Sequence, residues 1–293
     1  MIRFADDTTK QQVYNMWKTV FGDSDEYMEI YFREKYRNEN TLIYFDEEKD
    51  KEKAVSSLQM LPFNFSFHGG EIPSAYFSGL CTLPEARRKG FMGALIEKSF
   101  NEMDKNGVPL AILVPQEESV MKFYRQFGFI QTFDAGAPLP DLREIISESD
   151  NLKAAYETFD SFFRRRDMTV QKSPEDFQAI VEEAALFDFP VKRSLMGMSR
   201  VIDAEKLLAV FAKKYPETQI SVKISDPLIR KNNAVFVIEK GKVARSNPEK
   251  VVRYNLETDA LVQLLLGYKT STFTIDYSHI FPEKQPLIGF MME

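Results

Sequence analysis

The chain is poor in the residues that build covalent or metal-held frameworks. Its 293 residues include one cysteine, Cys81, and two histidines, His68 and His279. A single thiol excludes an intrachain disulfide, and so few soft donors argue against a zinc site, so no metal is expected. Positive charge is also in deficit: 44 Asp and Glu face 38 Lys and Arg, for a formal net charge of −6. The sequence pI of about 5.3 argues against a general binder of nucleic acid or anionic membrane, because both need a basic footprint. No uninterrupted apolar run approaches the roughly 20 residues of a membrane span. The opening "MIRFADDTTK" has no apolar h-region, so a cytoplasmic protein is expected. What the chain does have is apolar mass. Hydrophobic residues make up 44% and Phe alone contributes 25, enough for a substantial core in one large domain or two ordinary ones.

"IRF" predicts a short opening strand, and "DTTKQQVYNMWKTVFG" a helix capped by Asp7 or Thr8, with Val13, Trp17 and Val20 at helical spacing. A second helix, "DEYMEIYFREKY", turns Tyr27, Ile30, Tyr31 and Phe32 inward. "TLIYFDE" and "AVSSLQMLPFNFSFHGGEIPSAYFSGLCTLP" predict successive strands, with Gly69-Gly70 as a hairpin turn and His68 exposed beside it. A helix running to the C-cap signal Asn106-Gly107, a buried strand "PLAILVP", a short helix "ESVMKFYRQFGF" and a last strand complete a mixed α/β unit near Ala135. "DAGAPLPDL" marks a boundary. Helices follow in "NLKAAYETFDSFFRR" and "SPEDFQAIVEEAALF", the latter opened by Ser173, Pro174 and Asp176. Arg164 to Arg166 are expected as a solvated helix face, the alternative being a contact with a neighbouring domain. "SRVIDAEKLLAVFAKKY", "ISVKISD", "NAVFVIEKGKVARS" and "ETDALVQLLLG" predict a second, smaller α+β unit. The expected fold class is therefore α/β (α+β), divided into residues 1–137, a helical connecting segment 138–197, and residues 198–293.

Against the acidic background one positive knot stands out. In "LCTLPEARRKGFMGALIEKSF", Arg87, Arg88 and Lys89 directly precede Gly90 and an amphipathic helix anchored by Met92, Ile96, Phe100 and Met103. A strand, a basic turn, a glycine and a helix leave backbone N–H groups without partners at a positive helix end, which is an anion site. The main chain from Ala86 to Gly93 can wrap a diphosphate while the arginines add mobile charge. No Gly-Lys-Ser/Thr follows and the three-glycine dinucleotide spacing is not met, so neither familiar nucleotide loop is present. Taken alone, such a basic pair is also what an ordinary solvated loop contains.

"LCTLPEARRKGFMGAL" resembles the acyl-CoA-binding segment of the GNAT superfamily of N-acetyltransferases, written R/Q-x-x-G-x-G/A, and more closely its Eis branch, with "P-x-x-R-R-x-G". Met92 stands where Gly or Ala is usual. The resemblance implies that the amides of Arg88, Lys89, Gly90, Phe91, Met92 and Gly93 hold the pyrophosphate of acetyl-CoA, with Arg87 beside them. It also implies that the strand edge at Leu80, Cys81 and Thr82 pairs with the pantetheine. "SVMKFYRQFGF" resembles the branch's short helix, which implies Ser119 as a CoA contact and Tyr124 as general acid. The alternative for Tyr124 is a tyrosine that packs its helix on the sheet. The last segments resemble the sterol-carrier-protein-like C-terminal domain of Eis-type enzymes, but only residues 141–200 or so stand where those enzymes carry a second full GNAT domain. In that branch the chain's terminal carboxylate serves as base, which would be Glu293 here; the alternative is a frayed surface terminus.

Cys81 is expected to be a small buried hydrophobe. The implied activity is transfer of an acetyl group from acetyl-CoA to a primary amine of a small molecule or a lysine-like side chain. The rival reading is a non-catalytic module that binds acyl-CoA or an apolar ligand. The implied partners are acetyl-CoA and an amine-bearing substrate, and the sequence permits a homo-oligomer.

Overall fold

A computed structural model describes residues 1–48, 51–246, 252–273 and 277–292. The chain opens with β1 (Ile2–Phe4), α1 (Lys10–Phe21), α2 (Asp25–Glu34), β2 (Thr41–Glu48), β3 (Lys51–Phe67) and β4 (Gly70–Thr82). α1 starts later than expected, with Thr9 at the N-cap. Asp6 Oδ1 accepts the N–H groups of Thr8 and Thr9, each at 3.0 Å, and holds those residues in a turn ahead of the helix. Ser24 caps α2 by accepting the Tyr27 N–H at 3.2 Å. The hairpin between β3 and β4 turns at His68 and Gly69, not Gly69-Gly70, and both residues have left-handed backbone (φ 52° and 79°). A two-residue turn of that hand matches the twist of the strands it joins.

His68 is not exposed. The C-terminal unit closes over the turn, so that His68 Nε2 lies 2.9 Å from the Leu265 carbonyl. Its ring meets Phe211 and Tyr215 edge-on, and burial pushes its pKa down to about 4. Sequence marks a turn here, but not what packs on it.

The chain continues through α3 (Phe91–Lys105), β5 (Leu110–Leu113), α4 (Met121–Arg125) and β6 (Ile130–Phe133). α3 is the crossover that the parallel β4–β5 pair requires. Three helices come next, α5 (Leu142–Ser147), α6 (Leu152–Arg164) and α7 (Pro174–Leu186), then β7 (Gly197–Val201). Ser173 and Asp176 close the expected capping box on α7. Arg164 to Arg166 are exposed at the end of α6, where Arg164 pairs with Asp160 and Glu71.

The first sheet has seven strands in the order β1-β2-β3-β4-β5-β7-β6. β7 therefore belongs to it, slotted antiparallel between β5 and β6. The expected boundary at 197/198 falls inside this strand, and the unit predicted to begin there contributes its first strand to the N-terminal sheet. All five residues of β7 are buried, as a strand flanked on both sides must be. The rest forms α8 (Ala204–Lys214), β8 (Ile220–Ser225), β9 (Ala234–Glu239), β10 (Lys242–Ser246), β11 (Tyr254–Glu257) and α9 (Thr258–Leu265), with a four-stranded sheet ordered β10-β9-β8-β11. The architecture is mixed α/β: a large mixed sheet flanked by helices and a second small sheet.

Alternation along β4 feeds both faces of the large sheet. Phe77 packs with Leu95, Ile96, Phe100 and Met103 of α3, while Tyr76 joins Trp17 and Tyr31 on the side of α1 and α2. The middle helices build their own cluster around Phe159, Phe163 and Phe177, completed by Leu287 and Phe290 near the end of the chain.

Candidate functional site

β4 and β5 pair only through Ser74–Tyr76 against Leu110–Ile112. Past Tyr76 the two strands part. There the β3–β4 register jumps from Gln59↔Ser78 to Ser57↔Cys81, so Gly79 and Leu80 bulge out, Gly79 with φ 58°. A bulge of this kind re-aims the strand end and leaves its outer edge open. A cavity of about 360 Å³ occupies the gap. Its walls are Trp17, Phe21 and Asp23 from the α1–α2 corner, Tyr76 to Leu80 of β4, Val114 and Gln116 beyond β5, and Val120 and Tyr124. Behind Ser78, its hydroxyl and that of Tyr31 share a hydrogen bond at 2.8 Å, which fixes the floor.

At the open end of β4, a 3₁₀ turn at Pro84–Ala86 leads to the basic knot. Arg87 Nε donates to the Thr82 carbonyl at 3.2 Å, which ties the knot back to the strand. Arg88 (φ 64°) and Gly90 (φ 83°) both have left-handed backbone, and Gly90 is the N-cap of α3 with no side-chain cap. The helix's first internal bond is Ala94 N–H to the Gly90 carbonyl at 3.0 Å. The N–H groups of Phe91, Met92 and Gly93 precede that bond and stay outside the helical ladder, at the positive end of a 15-residue helix. Arg87, Arg88 and Lys89 are all exposed around them. Met92, at the small-residue position of the pattern, packs against the Phe77 cluster. Phe91 stacks on Tyr44 with ring centroids 4.2 Å apart.

The short helix α4 follows a 3₁₀ turn at Glu118–Val120. Tyr124 is half-buried against the rings of Phe123 and Phe129, and burial pushes its phenol up to about 12. It is therefore a neutral O–H donor at any ordinary pH. Ser119 is exposed, donates to the Glu117 carboxylate and lies outside the cavity wall. The two halves of the site meet: an atom added as Cβ on Gly93 would stand 3.1 Å from the Phe127 ring, just past α4. Cys81 points into the interior, with Sγ 3.2 Å from Ser57 Oγ, and burial pushes its thiol up to about 11. A thiol held protonated is no nucleophile.

Residues 1–131 match the family model described as an acetyltransferase (GNAT) domain. The N-terminal unit has the GNAT fold. Solved structures agree over nearly the whole chain. A protein from Enterococcus faecalis described as a "Probable N-Acyltransferase" is 14% identical with TM-score 0.71, and the match covers 98% of each chain. A GCN5-related N-acetyltransferase from Anabaena variabilis is 15% identical with TM-score 0.67, covering 92% of this chain and 90% of that one. Eis1 from Mycobacterium abscessus is 15% identical with TM-score 0.61, covering 98% and 96%. At such identities the likeness is one of fold. No curated protein matches the sequence.

Within this first unit, Leu80 and Tyr124 share one cavity, while Arg87 to Gly93 form the adjoining helix mouth. Glu293 lies outside the described residues. The tail before it runs inward: Leu287 N–H donates to the Met168 carbonyl at 3.0 Å and Leu195 N–H to the Ile288 carbonyl at 2.9 Å. Met291 and Met292 are buried in the large apolar core that both units share.

Sequence reasoning missed Trp17, Asp23, Tyr76 and Gln116 as cavity walls. Asp23 Oδ2 accepts the Trp17 indole N–H at 2.7 Å, which holds the carboxylate at the mouth. In "FGDSDEY" nothing separates Asp23 from its neighbour Asp25. Only the fold does.

Proposed function

We propose that the protein is an acyltransferase that moves the acetyl group of acetyl-CoA to a primary amine by direct attack on the thioester. The observation that carries this reading is the joint placement of three things: an uncapped helix N-terminus, a splayed strand edge and a neutral tyrosine. In this reading the N–H groups of Arg88 to Gly93 hold the pyrophosphate, with Arg87, Arg88 and Lys89 adding charge. The pantetheine lies along Leu80 to Thr82 as an extra strand, and Ser119 stands beside it. N–H groups of the bulged strand polarise the thioester carbonyl. The amine nitrogen attacks that carbon, the C–S bond breaks, Tyr124 gives its proton to the departing thiolate, and the proton the nitrogen sheds as the amide forms restores the phenol. Holding the two reactants in attack geometry supplies much of the acceleration.

The attacking nitrogen must first lose a proton. A terminal carboxylate has an ordinary pKa of about 3.3–3.7 and is ionised at neutral pH, so Glu293 suits that task. What supports it is the burial of Met291 and Met292 directly before it. A short polar C-terminal tag is expected to impair turnover while CoA affinity and melting temperature stay level. Full activity with the tag retained would take Glu293 out of the mechanism. The four-stranded C-terminal sheet with α8 and α9 corresponds, in this reading, to a sterol-carrier-like domain.

Asp23 attracts the cationic amine to the cavity mouth. A hydrogen bond to a charged group is worth about 1.5–3 kcal/mol, so Asp23→Asn should lower kcat/KM for the amine by about tenfold to a hundredfold. The loss should lie mainly in KM, with acetyl-CoA affinity intact; an unchanged KM for the amine would remove Asp23 from recognition. The reading as a whole is tested with acetyl-CoA and a panel of primary amines, following release of the CoA thiol. Turnover with at least one amine is expected. Saturable CoA binding without release for any amine would make the protein a binding module.

A further inference from the structure

We propose that Arg200 is a positioning residue for Tyr124, anchoring the helix that carries it to the C-terminal unit; this rests on the reading of Tyr124 as general acid. Arg200 lies on β7, the strand inserted between β5 and β6, and none of its side chain is exposed. Its guanidinium donates in three directions. Nε reaches the Phe127 carbonyl at 2.8 Å, Nη1 the Val201 carbonyl at 2.8 Å, and Nη2 the carboxylate of Asp226 at 2.6 Å. Its cationic face sits 5.5 Å from the centre of the Phe100 ring.

Both ends of this connection are fixed. Asp226 lies in the loop after β8 and is equally buried. Its Oδ1 also accepts the N–H groups of Leu228 and Ile229, each at 3.0 Å, and its Oδ2 accepts Asn232 Nδ2 at 2.8 Å. At the other end, Phe127 belongs to the turn that closes α4. The N–H groups of Phe127 and Phe129 both donate to the Tyr124 carbonyl, at 3.0 and 3.3 Å. The path from Asp226 to Tyr124 is thus an ion pair, one hydrogen bond to a carbonyl, and a turn folded on the tyrosine's own backbone.

α4 has only five residues, so its internal bonds do little to set its direction. A buried ion pair adds little stability over apolar side chains of similar volume. What the planar fork adds is a donor aimed at the Phe127 carbonyl from a fixed origin. Lysine, with one ammonium, cannot meet Phe127, Val201 and Asp226 from the same place. On this account Asp226 of the C-terminal unit acts in catalysis without touching the reactants.

The test is a coupled set of variants in the full chain: Arg200→Lys, the neutral pair Arg200→Met with Asp226→Asn, and each of these combined with Tyr124→Phe. The neutral pair strands no buried charge, so it keeps the test open if the lysine variant does not fold. Folding is checked by circular dichroism and thermal melting, and kcat and KM are measured with acetyl-CoA and the best amine. In folded variants kcat should fall at least tenfold with each KM within about twofold, and the same changes should cost nothing further in the Tyr124→Phe background. Unchanged kcat would overturn the proposal. So would an equal proportional loss with and without the Tyr124 hydroxyl, which would leave Arg200 a structural role only. If Tyr124→Phe alone keeps normal turnover, the general-acid reading itself falls, and this inference with it.

Discussion

Tyr124→Phe should lower turnover by about 10²- to 10⁴-fold, the range that a positioned proton donor contributes. The ring stays, so the contacts to Phe123 and Phe129 that hold α4 on the sheet stay with it. Stability and CoA affinity should therefore hardly move, and the loss should appear in kcat. The phenol is pushed up to about 12, so the proton it donates is present throughout the accessible pH range. A raised pKa keeps the acid form below that value, so the wild-type kcat profile should show no fall assignable to Tyr124 until pH approaches 12. Near-normal kcat in a well-folded Tyr124→Phe protein would return this tyrosine to packing.

Gly90→Val should abolish binding of acetyl-CoA. Gly90 caps α3 with φ 83°, a left-handed conformation that costs an L-residue about 1–2 kcal/mol and a β-branched one more. Among the described residues, apart from its own chain neighbours, no atom lies within 4 Å of where a Cβ would point, so the defect is not a clash in the empty site. It is a change in the direction of the backbone that presents the N–H groups of Phe91, Met92 and Gly93. Calorimetric titration with CoA reads it directly, and undiminished affinity would remove the anion site from this turn. Arg88→Ala should weaken binding far less, because the amides remain.

The element order of the first unit, the capping box of α7 and the basic turn before α3 were all legible from local pattern. Each depends on spacing within one segment, and such rules operate before any tertiary contact forms. Tyr124 was legible too, as a residue of a short helix before "RQFGF", although its placement in a cavity with Leu80 was not. The α/β character followed from helices and strands alternating with the right periods.

Pairing between distant segments was not legible. β7 overlaps the start of "SRVIDAEKLLAVFAKKY", and nothing in that stretch says that it lies between β5 and β6 of another unit. The charge of Arg200 even argues for a surface, until Asp226 and the Phe127 carbonyl supply the partners that let it be buried. His68 is covered for the same kind of reason, by residues nearly two hundred positions away. Asp23 acquires significance only because the α1–α2 corner reaches the gap where β4 and β5 separate. The sequence by itself determined the order of helices and strands in the first unit and the basic turn that precedes α3. Only the tertiary structure decided which strands are neighbours, which charges have partners and which side chains face one cavity, because those depend on segments meeting across the whole fold.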